Sequence, residues 1–183
     1  LYQYYMNPSK VAMAGKIQPN GSYLKGIEDF IPSSQYNCDK HHLKVVEDIK
    51  ENWVTLSLNS KFHALLATES IPEAIAYYRL LRKEMPTLKV TALFDPNIDN
   101  TGGQTFKEEG LIEVLEGYKE QFGKTYTMST HAAFKQDVAL RLAHKKPYNG
   151  KDFTKDKQID LLIVVNQMLT GFDSKWINTL YVD

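Results

Sequence analysis

Two short apolar runs separated by one amphipathic helix constrain the fold of this chain more than any other feature of its sequence. Residues 62–68 (FHALLAT) and 88–94 (LKVTALF) each predict a buried strand. Residues 71–85 predict a helix between them. Its start carries a capping pattern, in which Ser70 caps, a proline occupies the first turn and Glu73 closes a capping box. Strand, helix and strand joined by short loops build parallel sheets, so we predict an α/β fold with a parallel sheet flanked by helices.

The rest of the chain continues the alternation of helices and strands. Residues 159–166 are nearly all apolar and predict a central parallel strand, because a strand covered on both faces has no polar side. Residues 105–122 predict a helix that buries Phe106 and begins at a capping box formed by Thr105 and Glu108. Further helices are predicted at residues 40–58 and 130–145, and a last strand at residues 179–182.

The N-terminal segment has a different character. Residues 1–38 are rich in Tyr, Gly, Pro and Ser without a sustained period, which predicts an irregular arm or a linker from a preceding domain. Residues 39–183 would then form the α/β domain. Because the chain starts at a leucine and stops just beyond an apolar run, we expect it to be part of a larger protein.

Composition narrows the classes of function. The chain has 22 Lys+Arg and 22 Asp+Glu, and this zero formal charge argues against holding nucleic acid by bulk charge alone. Every apolar run is shorter than the roughly 18 residues of a membrane span, so no membrane partner is expected. The single Cys38 excludes an internal disulfide and a cysteine-only zinc site, and it fits a reduced, cytoplasmic setting.

The zero net charge hides two segments of opposite sign. Residues 95–120 carry seven acidic and two basic residues, whereas residues 124–157 carry eight basic and three acidic residues. The basic segment is either a solvated face or a surface that approaches phosphates. In the second case, Lys145 and Lys146 would contact a DNA backbone.

Three motif-like patterns lack the context that their chemistry requires. Gly123-Lys124 has no earlier glycine at phosphate-loop spacing and follows a helix, so it predicts a helix end. Cys38, His41 and His42 have no second ligand cluster, so no metal site is predicted and both histidines are interpreted as surface imidazoles. Nothing resembles a nucleophile elbow, and no catalytic residue is predicted within this chain.

A short polar constellation follows the strongest predicted strand. Parallel α/β sheets bind ligands beyond the carboxyl ends of their strands, and Thr170, Gly171 and Asp173 come shortly after such an end. The threonine offers a hydroxyl, the glycine permits close approach of a backbone, and the aspartate offers a fixed acceptor. A cap and turn would have the same sequence, so this pattern alone leaves the function open.

The longer string around these residues closely resembles motif V of superfamily 2 helicases. It covers residues 158–173 (QIDLLIVVNQMLTGFD) and is followed by LYVD at residues 180–183. More narrowly, it is similar to the version in the R (motor and nuclease) subunits of type I restriction enzymes. Residues 61–78 resemble the motif IV region of that family, and residues 88–100 resemble its next strand and loop.

The resemblance implies the second RecA-like domain of an ATP-dependent DNA translocase and endonuclease. Thr170 would contact the DNA backbone, and Gly171 and Asp173 would couple that contact to the nucleotide cleft. The loop that includes Thr68 and Ser70 would be a second contact with the DNA backbone.

The same resemblance implies which functional groups lie outside this chain. ATP and Mg would be bound mainly by the first RecA-like domain of the same protein, and the arginines of motif VI would lie beyond Asp183. The fragment alone is therefore not expected to be catalytic. Its implied partners are double-stranded DNA and the modification and specificity subunits. The alternative is a stand-alone α/β module that binds a small ligand at the strand edge.

Overall fold

A computed structural model of the chain describes residues 15–26, 29, 38–97, 102–150, 153–165 and 174–183. The chain divides into two compact units, Leu1–His41 and His42–Asp183, and each is described by itself. The described part of the first unit holds a small antiparallel hairpin of β1 (Lys16–Ile17) and β2 (Tyr23–Leu24). Gly21 supplies the positive φ of 81° in the connecting turn. The predicted boundary at residue 38 stays a prediction.

The described residues of the second unit form a four-stranded parallel sheet. Its strands are β3 (His63–Thr68), β4 (Val90–Leu93), β5 (Leu161–Val165) and β6 (Ile177–Val182). They lie in the order β4-β5-β3-β6, and every pair is parallel. The first three are buried along their whole length, as expected for strands covered on both faces. The predicted α/β fold with a parallel sheet flanked by helices is confirmed.

Among the described residues, four helices belong to this α/β arrangement. They are α1 (Asp39–Leu56), α2 (Ile71–Glu84), α3 (Gln104–Phe122) and α4 (His131–Leu142), with short 3₁₀ turns at Met128–Thr130 and Lys155–Lys157. The start of α2 is as predicted. Ser70 is its N-cap and accepts from the backbone N–H of Glu73 at 3.4 Å, while Glu73 Oε2 accepts from the backbone N–H of Glu69 at 2.8 Å.

Helix α3 packs closely on α2. A methyl group added at Gly110 would overlap the side chain of Ile75, and one added at Gly117 would overlap the hydroxyl of Tyr78. Both glycines lie on the buried face of α3. The absence of side chains at these two positions therefore lets the helix backbones approach one another.

The predicted start of α3 was wrong. The helix begins at Gln104 and its N-cap is Gly103, so Thr105 lies inside the first turn and cannot serve as a cap. Phe106 is also not in the core. It is 37% exposed, and the guanidinium of Arg79 lies 5.7 Å from the centre of its ring. A cation over the ring face stabilises an aromatic side chain without burial.

Candidate functional site

The carboxyl ends of the central strands meet at one edge of the sheet. Thr68 at the end of β3 is paired with Val165 at the end of β5, and the backbone N–H of Asp183 donates to the carbonyl of Ala67 at 3.0 Å. We call this the carboxyl edge. Ligands bind beyond this edge in parallel α/β sheets. The segment that contains Thr170, Gly171 and Asp173 follows β5 directly in sequence, but these three residues lie outside the described part of the chain.

Thr68 and Ser70 lie together at the carboxyl edge, but they differ in what they can contact. Thr68 is fully buried, and its hydroxyl lies 3.3 Å from the carbonyl oxygen of Ser70 and 3.4 Å from that of Val164. Ser70 is partly exposed at the N-terminus of α2. Its hydroxyl oxygen accepts from the Glu73 N–H, which leaves the hydroxyl hydrogen to donate to an acceptor outside the domain. Of these two residues, Ser70 is therefore the one with surface available to a phosphate.

A histidine and two carboxylates also converge at this edge. His42 from α1, Glu73 from the first turn of α2 and Asp183 after β6 each offer one ligand atom, and these atoms lie within 4.8 Å of one another. We call these three residues the edge triad. His42 Nε2 is 3.7 Å from Glu73 Oε1, and the two side chains are only 6% and 9% exposed. Sequence interpretation of His42 as a surface imidazole was wrong, because the helix turns this side chain inward.

Tyr77 supports the edge triad from α2. Its hydroxyl donates a hydrogen bond to Asp183 Oδ2, and its ring lies 4.7 Å from the imidazole ring of His42. Burial raises the pKa of Glu73, an effect that the hydrogen bond from Glu69 opposes and the nearby charge of Asp183 reinforces. No local sequence signal joins the members of the triad, since they come from distant parts of the chain.

The basic segment does not form one phosphate-facing surface. Lys124 lies 2.5 Å from Asp137, and Lys135 lies 3.6 Å from Asp95 at the end of β4. Arg141 is 3% exposed and donates inside the domain to the hydroxyls of Tyr118 and Tyr148 and to the carbonyl of Lys157. These three cations are therefore held by internal partners.

Lys145 and Lys146 are exposed, and they lie at the opposite edge of the sheet. The neighbouring His144 contacts His63 at the start of β3 and stacks on Trp176 just before β6. The structure therefore brings Thr68 and Ser70 together at one edge and Lys145 and Lys146 together at the other. It does not bring the two pairs to one place.

The Gly123-Lys124 sequence ends a helix, as predicted. Gly123 has a φ of 70° and its N–H donates to the carbonyl of Lys119 at 2.8 Å, which is a left-handed C-cap. Within the described residues, neither this sequence nor the carboxyl edge forms the loop of backbone N–H groups and lysine that cradles ATP phosphates. The described residues therefore do not form a cradle for nucleotide phosphates.

Across the described helices, none has the length and apolar character needed to cross a membrane.

A family model and individual relatives of known name both indicate the same protein family. Residues 60–183 match the family model for type I restriction enzyme subunit R domain 3. The chain is 33% identical over 154 residues to the endonuclease subunit of the type I restriction enzyme SauMRSORF196P from Staphylococcus aureus strain MRSA252. That alignment covers 80% of this chain. It is 34% identical over 149 residues to the corresponding subunit of SsaAORF53P from Staphylococcus saprophyticus, covering 76% of this chain. The matched regions are only 16% and 15% of the lengths of these relatives.

Proposed function

The chain belongs to the family of type I restriction enzyme subunit R, domain 3, and we propose that it is the second motor domain of such a subunit. In this role it couples ATP binding to translocation of duplex DNA. The observation that carries the proposal is the placement of β5. This strand ends at the carboxyl edge, and the helicase-like sequence of residues 166–173 begins at the next residue.

The proposed contacts with DNA follow from this placement. Thr170 contacts the DNA backbone, and the partly exposed hydroxyl of Ser70 supplies a second contact from the N-cap of α2. Contacts with phosphates position a protein on DNA without reading its sequence. Such contacts suit a motor that must move along any sequence. Gly171 and Asp173 couple the DNA contact to the nucleotide cleft.

The rest of the machinery is proposed to lie in other parts of the complex. ATP and Mg bind mainly to the first RecA-like domain of the same protein, as the resemblance to superfamily 2 helicases implies. The whole protein is an ATP-dependent DNA translocase and endonuclease that acts with modification and specificity subunits in the cytoplasm. By itself, the present chain neither hydrolyses ATP nor cleaves DNA.

The proposal is tested by the Asp173→Ala variant of a full-length subunit R that carries this domain. We expect DNA-stimulated ATPase and translocation to fall by about tenfold or more, a typical size for a coupling free energy between two sites. Thermal unfolding should change little. Asp156→Ala is the matched control, because Asp156 is exposed in a surface 3₁₀ turn. Wild-type ATPase and translocation in the Asp173→Ala protein would contradict the coupling role.

A further inference from the structure

The edge triad has the composition and spacing of a metal site. We propose that His42, Glu73 and Asp183 bind one divalent transition-metal ion, for which zinc is the best fit. The inference concerns residues of this chain alone and does not depend on the proposed motor function. It departs from the sequence-based prediction of no metal site, because Glu73 and Asp183 lie far from His42 in the sequence.

The spacing of the donors is close to that of a zinc site. A zinc ion bound at about 2.0–2.2 Å in tetrahedral geometry separates its ligand atoms by roughly 3.3–3.6 Å. His42 Nε2 and Glu73 Oε1 are 3.7 Å apart, and the widest separation in the triad is within 4.8 Å. Small side-chain adjustments therefore bring all three donors to bonding distance of a common point. Three protein ligands leave the fourth position for a water molecule or another ligand.

The charges at this position also favour a cation. Two carboxylates lie next to each other, and the Glu73 side chain is 9% exposed, so little water is available to offset its negative charge. A divalent ion balances both carboxylates at once. The imidazole beside them binds such an ion in its neutral form.

Neighbouring hydrogen bonds fix the ligands in the way that metal sites require. The Tyr77 hydroxyl donates to Asp183 Oδ2, and the backbone N–H of Glu69 donates to Glu73 Oε2 at 2.8 Å. The second bond leaves Glu73 Oε1 directed toward His42. Outer-shell donors of this kind orient ligating carboxylates, and their loss typically weakens metal binding by about 10–100-fold. We therefore assign Tyr77 as a positioning residue for the metal.

The donor set selects among metals. Magnesium prefers an octahedron of oxygen atoms and retains several waters, so a triad containing an imidazole is a poor match for it. One nitrogen and two carboxylate oxygens suit zinc and its neighbours in the first transition series. Because the three ligands come from α1, α2 and the end of β6, the bound ion would tie these elements together at the carboxyl edge.

Zinc titration of a metal-stripped full-length subunit R that carries this domain tests the proposal. We expect the wild type to bind one more zinc ion per chain than Glu73→Gln, and cobalt used in its place should give the visible absorption of a four- or five-coordinate site. His42→Gln and Glu73→Gln should each weaken zinc binding by at least about tenfold, and Tyr77→Phe by a similar or smaller factor. His41→Gln is the matched control, because it removes the neighbouring imidazole of the same helix and should bind zinc as the wild type does.

Thermal unfolding with and without zinc provides an independent measurement. A ligand that binds only the folded state raises the midpoint of unfolding, so zinc should stabilise the wild type and His41→Gln but not Glu73→Gln. The proposal is overturned if the wild type binds no more zinc than Glu73→Gln does, or if His41→Gln and His42→Gln lower affinity equally. It is also overturned if magnesium at equal concentration stabilises the protein as well as zinc does.

Discussion

The Nε2 atoms of His63 and His144 lie 2.8 Å apart. Contact between two ring nitrogens requires one donor and one acceptor. His63 Nδ1 lies 2.5 Å from the carbonyl oxygen of Ile159, which can only accept, so Nδ1 carries the proton. Near neutral pH the lowered pKa of His63 keeps its ring neutral, so His63 Nε2 accepts from His144. Both ring nitrogens of the buried His63 therefore have partners within the domain.

Acid should destabilise the domain through His63. Burial, followed by the neighbouring His144, lowers the pKa of His63 from 6.5 to about 4. The unfolded chain therefore binds more protons between these values, and the free energy of unfolding falls as the pH drops from about 6.5 to about 4. The full effect is roughly 3 kcal/mol at about 1.4 kcal/mol per pH unit.

Urea unfolding of the wild type and His63→Gln between pH 7 and pH 4 measures this effect. Comparison of the two proteins removes the contribution of the other titrating groups. The stability of His63→Gln should fall less over this interval, whereas His41→Gln should follow the wild type. Equal pH dependence in the wild type and His63→Gln would contradict the role assigned to His63.

Lys145 and Lys146 are predicted to add electrostatic affinity for DNA. In a full-length subunit R, replacing both with glutamate should weaken DNA binding and lower the slope of log K against log salt by about two, because two phosphate contacts are lost. Lys50→Glu with Lys83→Glu makes the same charge change at two exposed positions on α1 and α2. If both double variants have the wild-type slope, these lysines belong to a solvated face.

Asp137 is predicted to be essential for stability. Although burial alone would raise its pKa, hydrogen bonds from Lys124, Tyr148 and Tyr118 hold the pKa of Asp137 below its usual range. Asp137→Ala would leave the buried Arg141 without its carboxylate and should cost about 3–5 kcal/mol of unfolding free energy. Chemical denaturation measures this loss. The exposed Asp156→Ala should change stability by less than about 0.5 kcal/mol, and a similar effect of both variants would refute the prediction.

The close approach of α2 and α3 predicts a coupled pair of substitutions. Gly110→Ala should destabilise the protein by about 1–3 kcal/mol through overlap with Ile75, less the gain of about 1 kcal/mol in helix propensity. Ile75→Val removes the overlapping methyl group and should cost less in the Gly110→Ala protein than in the wild type. Unfolding free energies of the four proteins form a double-mutant cycle. Additive effects would show that the two side chains do not compete for the same space.

The accuracy of the sequence-based predictions depended on how local the determining interactions are. The strands β3, β4 and β5 and the start of α2 were predicted because continuous apolar runs and a capping pattern specify them within a few residues. The burial of Phe106 was predicted wrongly, because an apolar residue at helical spacing can also be stabilised by a cation from another helix stacked on its ring. The edge triad was missed because its members come from distant parts of the chain and meet only once the sheet has formed.

The strand order has a consequence for how the chain acquires its structure during synthesis. Helix α2 links β3 to β4, yet these two strands never touch, because β5 lies between them and bonds to both. When β3, α2 and β4 emerge from the ribosome, this strand–helix–strand unit therefore has no sheet of its own. Because synthesis adds roughly 5–20 residues per second, several seconds pass before β5 emerges. Until then, two apolar strands remain without partners in the sheet, and such unpaired strands are prone to aggregation.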